Sequence, residues 1–353
     1  MQVGDLFATP LTTSHYVELV NPLWTTHRLQ ARVVDVHDET PTTRTLTLKP
    51  GRGWHRHRAG QYVRVGVTVG GMRQTRTFSI SSSPDRADGR ITITVKATEG
   101  GRVTPFLARE VPVGTFLPLG QPQGDFVLPW AVPLQPLFLT AGSGVTPVMS
   151  MLRTYDLEGT VPDACHLHFA PTGAESIFHG ELTALAEAHP RYRYLPVFTR
   201  EEGPGHGVHL SRELLDEHCP DWERRDVWVC GPPALVARAE LLCSDAGRTR
   251  HLHVERFQAP LGDPLPGAAG GTVRFAASGR EVVADGHTNL LWVAEDAGLN
   301  PPHGCRMGIC HSCDCTLVRG KVRDLRTGRL VGEPGGRIQP CVSAAAGDVE
   351  LGL

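Results

Sequence analysis

From residue 29 to 130 apolar and polar positions alternate in short runs, among them "RLQARVVDVHDETPTTRTLTLKP", "AGQYVRVGVTVGGMRQTRTFSISSSP" and "GRITITVKATEGGRVTPFL". A period of two is that of a strand with one buried face, and turn residues separate the runs, so this stretch predicts an antiparallel β-barrel. From 133 to 258 the rhythm changes. Strand-like runs in "PLFLTAGSGVTPVMSML", "CHLHFAPTGAESIFHGEL", "YRYLPVFTR" and "DVWVCGPPALV" are interleaved with helix-like "GELTALAEAH" and "SRELLDEH". Such β-α-β succession predicts an α/β doubly wound domain with a parallel sheet. "APLGDPLPGAAGG" has the proline and glycine content of a linker, placed at 259–269. In 270–353, "GTVRFAASGREVVADG" reads as two strands around a Ser-Gly turn, "NLLWVAEDAGL" as an amphipathic helix and "GDVELGL" as a closing strand, a β-grasp outline. Residues 1–28 are set apart as an N-terminal helical extension, with Tyr16 and Trp24 expected in a helix against the barrel.

Composition agrees with a multidomain globular chain: 353 residues, 40% hydrophobic and 20% charged. The formal net charge is -2 and no long basic run occurs, which leaves no electrostatic case for nucleic acid. At the N-terminus Asp5, His15 and Glu18 interrupt any apolar run, so neither a signal peptide nor a membrane span is expected there. The nine cysteines are odd in number, and Cys165, Cys219, Cys230 and Cys243 are scattered. Reduced thiols in a cytoplasmic setting follow. His55, Arg56, His57 and Arg58 read as a solvated loop.

The remaining cysteines are clustered. In "GCRMGICHSCDC" Cys305, Cys310 and Cys313 have the spacing C-x4-C-x2-C, and Cys341 follows 28 positions after Cys313. That is the plant-type [2Fe-2S] pattern, in which a glycine-containing loop supplies three thiolates and a separate segment the fourth. Zinc is the rival ligand, but zinc sites usually pair cysteines as two close doublets. Cys315 is expected to be a non-ligand cysteine on a strand.

Two turns suit a dinucleotide. Gly142, Ser143, Gly144, Val145, Thr146 and Pro147 link an apolar strand to a helix, where small residues allow close approach and unpaired N–H groups face a pyrophosphate. Cys230, Gly231, Pro232 and Pro233 end a second apolar strand, where a doubly wound domain binds its ligand.

With these motifs the chain resembles the ferredoxin-NADP reductase superfamily fused to a C-terminal plant-type ferredoxin. Arg76, Thr77, Phe78 and Ser79 match its R-x-[FY]-[ST] motif, and Gly101, Arg102, Val103 and Thr104 its G-x-x-[ST] motif. Gly-Val-Thr-Pro and Cys-Gly-Pro match its nicotinamide signatures. The resemblance implies an FAD-binding barrel over 29–130 and an NAD(P)-binding domain over 133–258. It further implies that Arg76 holds flavin phosphates, Phe78 covers the isoalloxazine, Ser79 faces flavin N5, and Val95 joins the flavin contacts. Glu255 and Phe257 in "HVERF" resemble the family's terminal Glu-x-Tyr, with Phe in place of Tyr, so Cys230 and Glu255 are expected to line the hydride pocket and Phe257 to stack on the flavin. FAD is preferred over FMN because of the pyrophosphate turn. Thr199 and Arg200 stand where NADP-type members hold the 2'-phosphate, which argues for NADPH, while the lack of a basic residue after Ala170 and Pro171 leaves NADH open.

NAD(P)H delivers electrons as a pair and an iron–sulfur cluster takes one, so a flavin between them is the expected relay. The N-terminal stretch, "HRAGQYVRVGV", "CRMGICHSC" and "VRDLRTG" resemble actinobacterial reductases that serve membrane di-iron stearoyl-CoA desaturases. An oxygen-activating desaturase is the expected partner. Cytochrome P450, Rieske-type and alkane hydroxylases are alternatives, as is a non-enzymatic role as an iron–sulfur redox sensor or regulatory subunit.

Overall fold

The computed structural model describes residues 21–24, 29–69, 72–98, 101, 103–129, 135–201, 209–257, 270–299, 301–303, 308 and 311–353. It divides into two compact units, Met1–Val69 with Thr77–Glu255, and Gly70–Arg76 with Arg256–Leu353.

The larger unit begins with the barrel, except for residues 72–76, which group with the smaller unit. Strands β1 (Gln30–Thr40), β2 (Thr43–Pro50), β3 (Tyr62–Val69), β4 (Met72–Ser79), β5 (Ile91–Lys96) and β6 (Phe116–Pro118) form a sheet in the order β5-β2-β1-β6 and a β3-β4 ribbon. Bridges Val65↔Leu119 and Ile80↔Ile93 join the two. Alternation puts Val33, Leu46, Leu48, Val63, Val65 and Ile93 inside, each without exposed surface, and each such burial stabilises by roughly 1.5–3 kcal/mol. On the opposite face Thr45, Thr94, Thr92 and Ser81 are also buried, and they satisfy one another through hydroxyl bonds of 2.8–3.0 Å. The solvated loop expected at His55–Arg58 fails at one residue. His57 is 4% exposed, its Nε2 bonded to the Ser82 carbonyl at 3.1 Å, and burial lowers its pKa to about 4. Local polarity could not reveal a carbonyl supplied from 25 residues away. Of the N-terminal extension, Pro22–Trp24 form a single 3-10 turn, with Trp24 exposed and the Arg52 guanidinium 5.5 Å above its ring. Tyr16 lies outside the described residues.

Strands β7 (Pro136–Ala141), β8 (Ala164–Ala170), β9 (Tyr192–Phe198), β10 (Asp226–Cys230) and β11 (Leu252–Glu255) form an all-parallel sheet in the order β11-β10-β7-β8-β9. Helices α1 (Val145–Glu158), α2 (His179–Ala188), α3 (Arg212–His218) and α4 (Pro233–Asp245) cover it with a core on each side. Ser211 caps α3, accepting from the Leu214 N–H at 3.2 Å. The order places β8 on one side of β7 and β10 on the other, so the strand order reverses there and opens a crevice at the carboxyl ends of β7 and β10. Strand β8 is buried throughout yet carries His166 and His168. Thr140 Oγ1 links them, at 2.7 Å to His166 and 2.8 Å to His168, and Tyr192 bonds the other His166 nitrogen at 2.8 Å. Burial lowers both pKa values, His168 to about 3, so both imidazoles are neutral.

In the smaller unit β12 (Gly271–Phe275) and β13 (Arg280–Ala284) form the expected hairpin. With β14 (Cys315–Arg319), β17 (Arg337–Ile338) and β19 (Val349–Leu351) they make a sheet of order β13-β12-β19-β14-β17, in which β12 and β19 run parallel. Strands β15 (Val322–Asp324), β16 (Leu330–Val331) and β18 (Ser343–Ala345) form a second small sheet. Helix α5 (Leu290–Asp296), capped by Asn289 accepting from the Trp292 N–H, buries Leu290, Leu291, Val293 and Ala294. This is the β-grasp arrangement. Among the described residues no helix is long and apolar enough to cross a membrane.

Candidate active site and cluster residues

The two dinucleotide turns meet at the crevice. After β7 the chain turns through Gly142, whose φ of +51° is the left-handed region where glycine is unstrained, and enters α1 at Val145. A Cβ on Gly144 would lie 2.1 Å from the Cys230 carbonyl oxygen, so only glycine permits the approach of the β7 and β10 turns. Val145, Thr146 and Pro147 are buried, and the Thr146 hydroxyl donates to the Ser143 carbonyl at 2.8 Å. This leaves backbone and small side chains at the start of a helix of 14 residues, a cradle suited to a pyridine nucleotide's phosphates. Gly231 follows, half-buried, and Pro232 is exposed.

Next to this crevice the barrel contributes β4. Ser79 Oγ donates to Glu255 Oε2 at 3.4 Å, and Glu255 is the register partner of Cys230 on β10. Ser79, Cys230 and Glu255, far apart in sequence, are thereby brought together. Burial pushes the Glu255 carboxyl up to about 8 against the lowering bond from Ser79, and it pushes the Cys230 thiol well above its ordinary value. Both groups are therefore neutral near pH 7, which favours a pocket for an uncharged ring system and the transfer of hydride.

Elsewhere on β4, Phe78 is half-buried against the barrel core, and Thr77 Oγ1 is buried without a hydrogen-bond partner, a polar atom that a bound polar cofactor would suit. Arg76 donates to the Thr75 carbonyl at 3.0 Å and to Gln74 Oε1 at 3.1 Å. Val103 opens a short helical segment, Val103–Pro105, continued as a π-helix to Glu110. Thr104 Oγ1 accepts from the Thr98 N–H at 3.1 Å, and Gly101 lies tight against the Thr98 carbonyl. Arg102 lies outside the described residues. Val95 is 1% exposed within the barrel core and offers no side-chain surface to a ligand. Thr199 donates its N–H to the Ala170 carbonyl at 2.9 Å, leaving Arg200 exposed at the end of β9. Phe257 is 38% exposed, two residues beyond β11.

For the iron–sulfur cluster, Cys313 and Cys341 are buried thiols with Sγ atoms 3.3 Å apart, and their mutual bond lowers the Cys313 pKa. Two convergent thiols from separate segments fit a metal group. Cys305 and Cys310 lie outside the described residues. Cys315 begins β14, buried in the β-grasp core, and burial raises its thiol to about 12, as befits a structural cysteine. Two cavities, of about 520 and 580 Å³, lie away from these residues: one at the amino ends of the parallel strands by Asp163 and Arg225, the other beside His37, Arg153 and His179. Neither holds the convergent groups of the crevice.

Sequence reasoning missed the buried serines that follow β4. Ser81, Ser82 and Ser83 are each at most 2% exposed and bonded across to α1. The run of three serines after an apolar-alternating strand was the available signal.

A flavin barrel, a parallel nucleotide sheet with its crevice at the strand ends, and a β-grasp unit with paired thiols together define a class, the pyridine-nucleotide-dependent flavin oxidoreductases with an iron–sulfur module. Three family models match in that order: the oxidoreductase FAD-binding domain over 30–128, the oxidoreductase NAD-binding domain over 138–240, and the 2Fe-2S iron-sulfur cluster binding domain over 273–346. The chain is 45% identical over 355 residues to the NADPH oxidoreductase of Mycobacterium tuberculosis, covering 100% of this chain and 91% of that protein. It is 28% identical to the glycine betaine monooxygenase reductase subunit of Chromohalobacter salexigens, covering 97% and 100%. Phthalate dioxygenase reductase, a modular structure for electron transfer from pyridine nucleotides to [2Fe-2S], superimposes with a TM-score of 0.65 at 22% identity, covering 92% of this chain and 97% of that one. The chain belongs to the ferredoxin-NADP reductase superfamily, in the branch that carries a C-terminal [2Fe-2S] ferredoxin domain. It is an oxidoreductase that passes electrons from NAD(P)H through FAD to a [2Fe-2S] cluster.

Proposed function

We propose that this reductase supplies single electrons to an oxygen-activating partner, and that the partner is a membrane di-iron acyl-CoA or fatty-acid desaturase. The single observation that carries the reductase reading is the convergence of Ser79, Glu255 and Cys230 at the mouth of the Gly144 crevice. The desaturase reading is supported by the resemblance of "HRAGQYVRVGV", "CRMGICHSC" and "VRDLRTG" to desaturase reductases. Relatives named as reductase subunits of a monooxygenase support the wider class of oxygenase partners.

A bound flavin would accept hydride at N5 and release electrons one at a time to the cluster. The protein's residues provide the setting. The N-terminus of α1 and the turn at Gly231 and Pro232 hold the nucleotide, with Arg200 and Thr199 beside its 2'-phosphate, which favours NADPH over NADH. Arg76, Thr77, Phe78, Gly101, Val103 and Thr104 hold FAD. Ser79 and neutral Glu255 would keep a hydrogen-bonded proton beside the reacting ring without placing a charge there, and the buried, neutral Cys230 next to Glu255 would help exclude water. Cys305, Cys310, Cys313 and Cys341 hold the cluster. The protein works in the cytoplasm and meets the membrane only through its partner.

Reconstitution tests the partner. Purified protein with NADPH is mixed with desaturase-containing membranes or with a cytochrome P450 lacking its own reductase, and product is measured. Turnover with desaturase membranes above the P450 supports the reading, whereas turnover with P450 alone overturns it.

A further inference from the structure

Helix α1 starts at the nucleotide cradle, and one of its faces is tied to the segment that follows the strand carrying Ser79. Ser150, Arg153 and Thr154 have the i, i+3, i+4 spacing that shares a helical face. Ser150 Oγ donates to the Ser82 carbonyl at 2.6 Å, Arg153 Nη1 to the Ser81 carbonyl at 2.8 Å, and Thr154 Oγ1 to Ser83 Oγ at 3.0 Å. His57 Nε2 shares the Ser82 carbonyl, and Ser81 Oγ is bonded into the barrel through Thr92 and Thr94. Arg153 is the node. Its Nε and Nη2 grip Glu181, in the first turn of α2, at 2.8 and 2.6 Å, and its guanidinium lies 4.8 Å from the ring centroid of Phe178.

Apolar packing alone would hold barrel and sheet together, but it is non-directional and tolerates sliding. Hydrogen bonds to the Ser81 and Ser82 carbonyls and to the Ser83 hydroxyl, consecutive residues two to four positions beyond Ser79, fix both distance and angle. The same helix begins at Val145, where the nucleotide's phosphates are to be held, so whatever fixes α1 against Ser81–Ser83 also fixes the anchor of the hydride donor against the strand that carries its acceptor. We propose that Arg153, with Ser150 and Thr154, is a positioning residue for hydride transfer, locking the start of the nucleotide helix in register with the flavin strand. The inference rests on the reading of Ser79, Cys230 and Glu255 as the hydride pocket.

The test is anaerobic stopped-flow reduction of the FAD-loaded full chain by NADPH and by NADPH deuterated at the transferred position. Wild type, Arg153→Met, Arg153→Lys, and a Ser150→Ala/Thr154→Val double variant are compared, with melting temperature and the long-wavelength nicotinamide–flavin charge-transfer band recorded for each. Misalignment slows transfer steeply, so Arg153→Met should reduce flavin about tenfold or more slowly. Its nucleotide Kd should stay within about threefold of wild type. The charge-transfer band should weaken, and Arg153→Lys should recover part of both. If Arg153→Met fails to fold, the double variant carries the same readings. A folded, flavin-loaded variant with wild-type rate and band, differing only in melting temperature, overturns the positioning role. A wild-type protein whose flavin is not reduced by NADPH instead overturns the hydride-pocket reading beneath it.

Discussion

Ser79 and Glu255, 176 residues apart, meet through a 3.4 Å hydrogen bond from hydroxyl to carboxyl. The contact joins the barrel to the last strand of the parallel sheet, and the carboxyl it serves has its pKa raised by burial to about 8. A raised acid has a definite sign in linkage. Below about pH 4.5 Glu255 is protonated in both folded and unfolded chains and contributes nothing to pH dependence. Between about 4.5 and 8 only the unfolded chain ionises, so the group lowers stability by at most about 1.4 kcal/mol per pH unit, and above 8 the cost stays level. Glu255→Gln should therefore gain stability over wild type as pH rises from 5 to 9, with parity at pH 4. Urea unfolding at several pH values measures this, and a constant difference across the range would contradict it. The rate of flavin reduction should fall in wild type as pH passes about 8 and lose that step in the variant.

Gly144→Ala tests the crevice. Its Cβ would sit 2.1 Å from a backbone oxygen, which cannot rotate aside. The turns at β7 and β10 must then separate, at a cost of about 1–3 kcal/mol. Nucleotide affinity should fall at least tenfold by isothermal titration, while the flavin spectrum is retained. Unchanged nucleotide affinity would remove the crevice as the binding site.

The cysteines separate by environment. Cys341→Ser should lose most bound iron and the electron paramagnetic resonance signal of the reduced cluster, because its thiol faces that of Cys313. Cys315→Ala should keep both and lose about 1 kcal/mol of stability through the small void left in the β-grasp core. Iron content and low-temperature spectra of the two variants decide, and loss of the signal in Cys315→Ala would make it a ligand.

Most of the architecture was legible because each unit announces itself by its period: alternation along β1 and β2, apolar runs in β7 and β10, the Asn289 cap before Leu290. The nucleotide turns were legible because two small-residue turns each follow an apolar strand and lead into a helix, and the 2.1 Å approach at Gly144 shows why glycine is needed there. What pattern could not show was pairing at long range. His57 sits in a stretch as polar as any surface loop, yet it is buried by a carbonyl 25 residues away. Ser81–Ser83 look like a turn and act as acceptors for α1. Val95 follows the strand alternation, which buries its side chain in the barrel core. Each of these depends on a contact between elements, which a one-dimensional period does not encode.

Arg200→Ala tests the nucleotide. Arginine binds phosphate in a fixed, charge-assisted fork, so its removal should weaken NADPH about tenfold or more and leave NADH within about twofold. Comparison of KM for the two reductants is the measurement, and equal weakening of both would exclude a 2'-phosphate role.

Anaerobic titration of the purified protein with NADPH, and separately NADH, following flavin and iron–sulfur absorbance together, tests the relay most directly. Flavin and then cluster should bleach at near-stoichiometric reductant, with NADPH the better donor. Flavin bleaching with no cluster absorbance in fully metallated protein would contradict the assignment of Cys305, Cys310, Cys313 and Cys341 as ligands of an electron-carrying cluster.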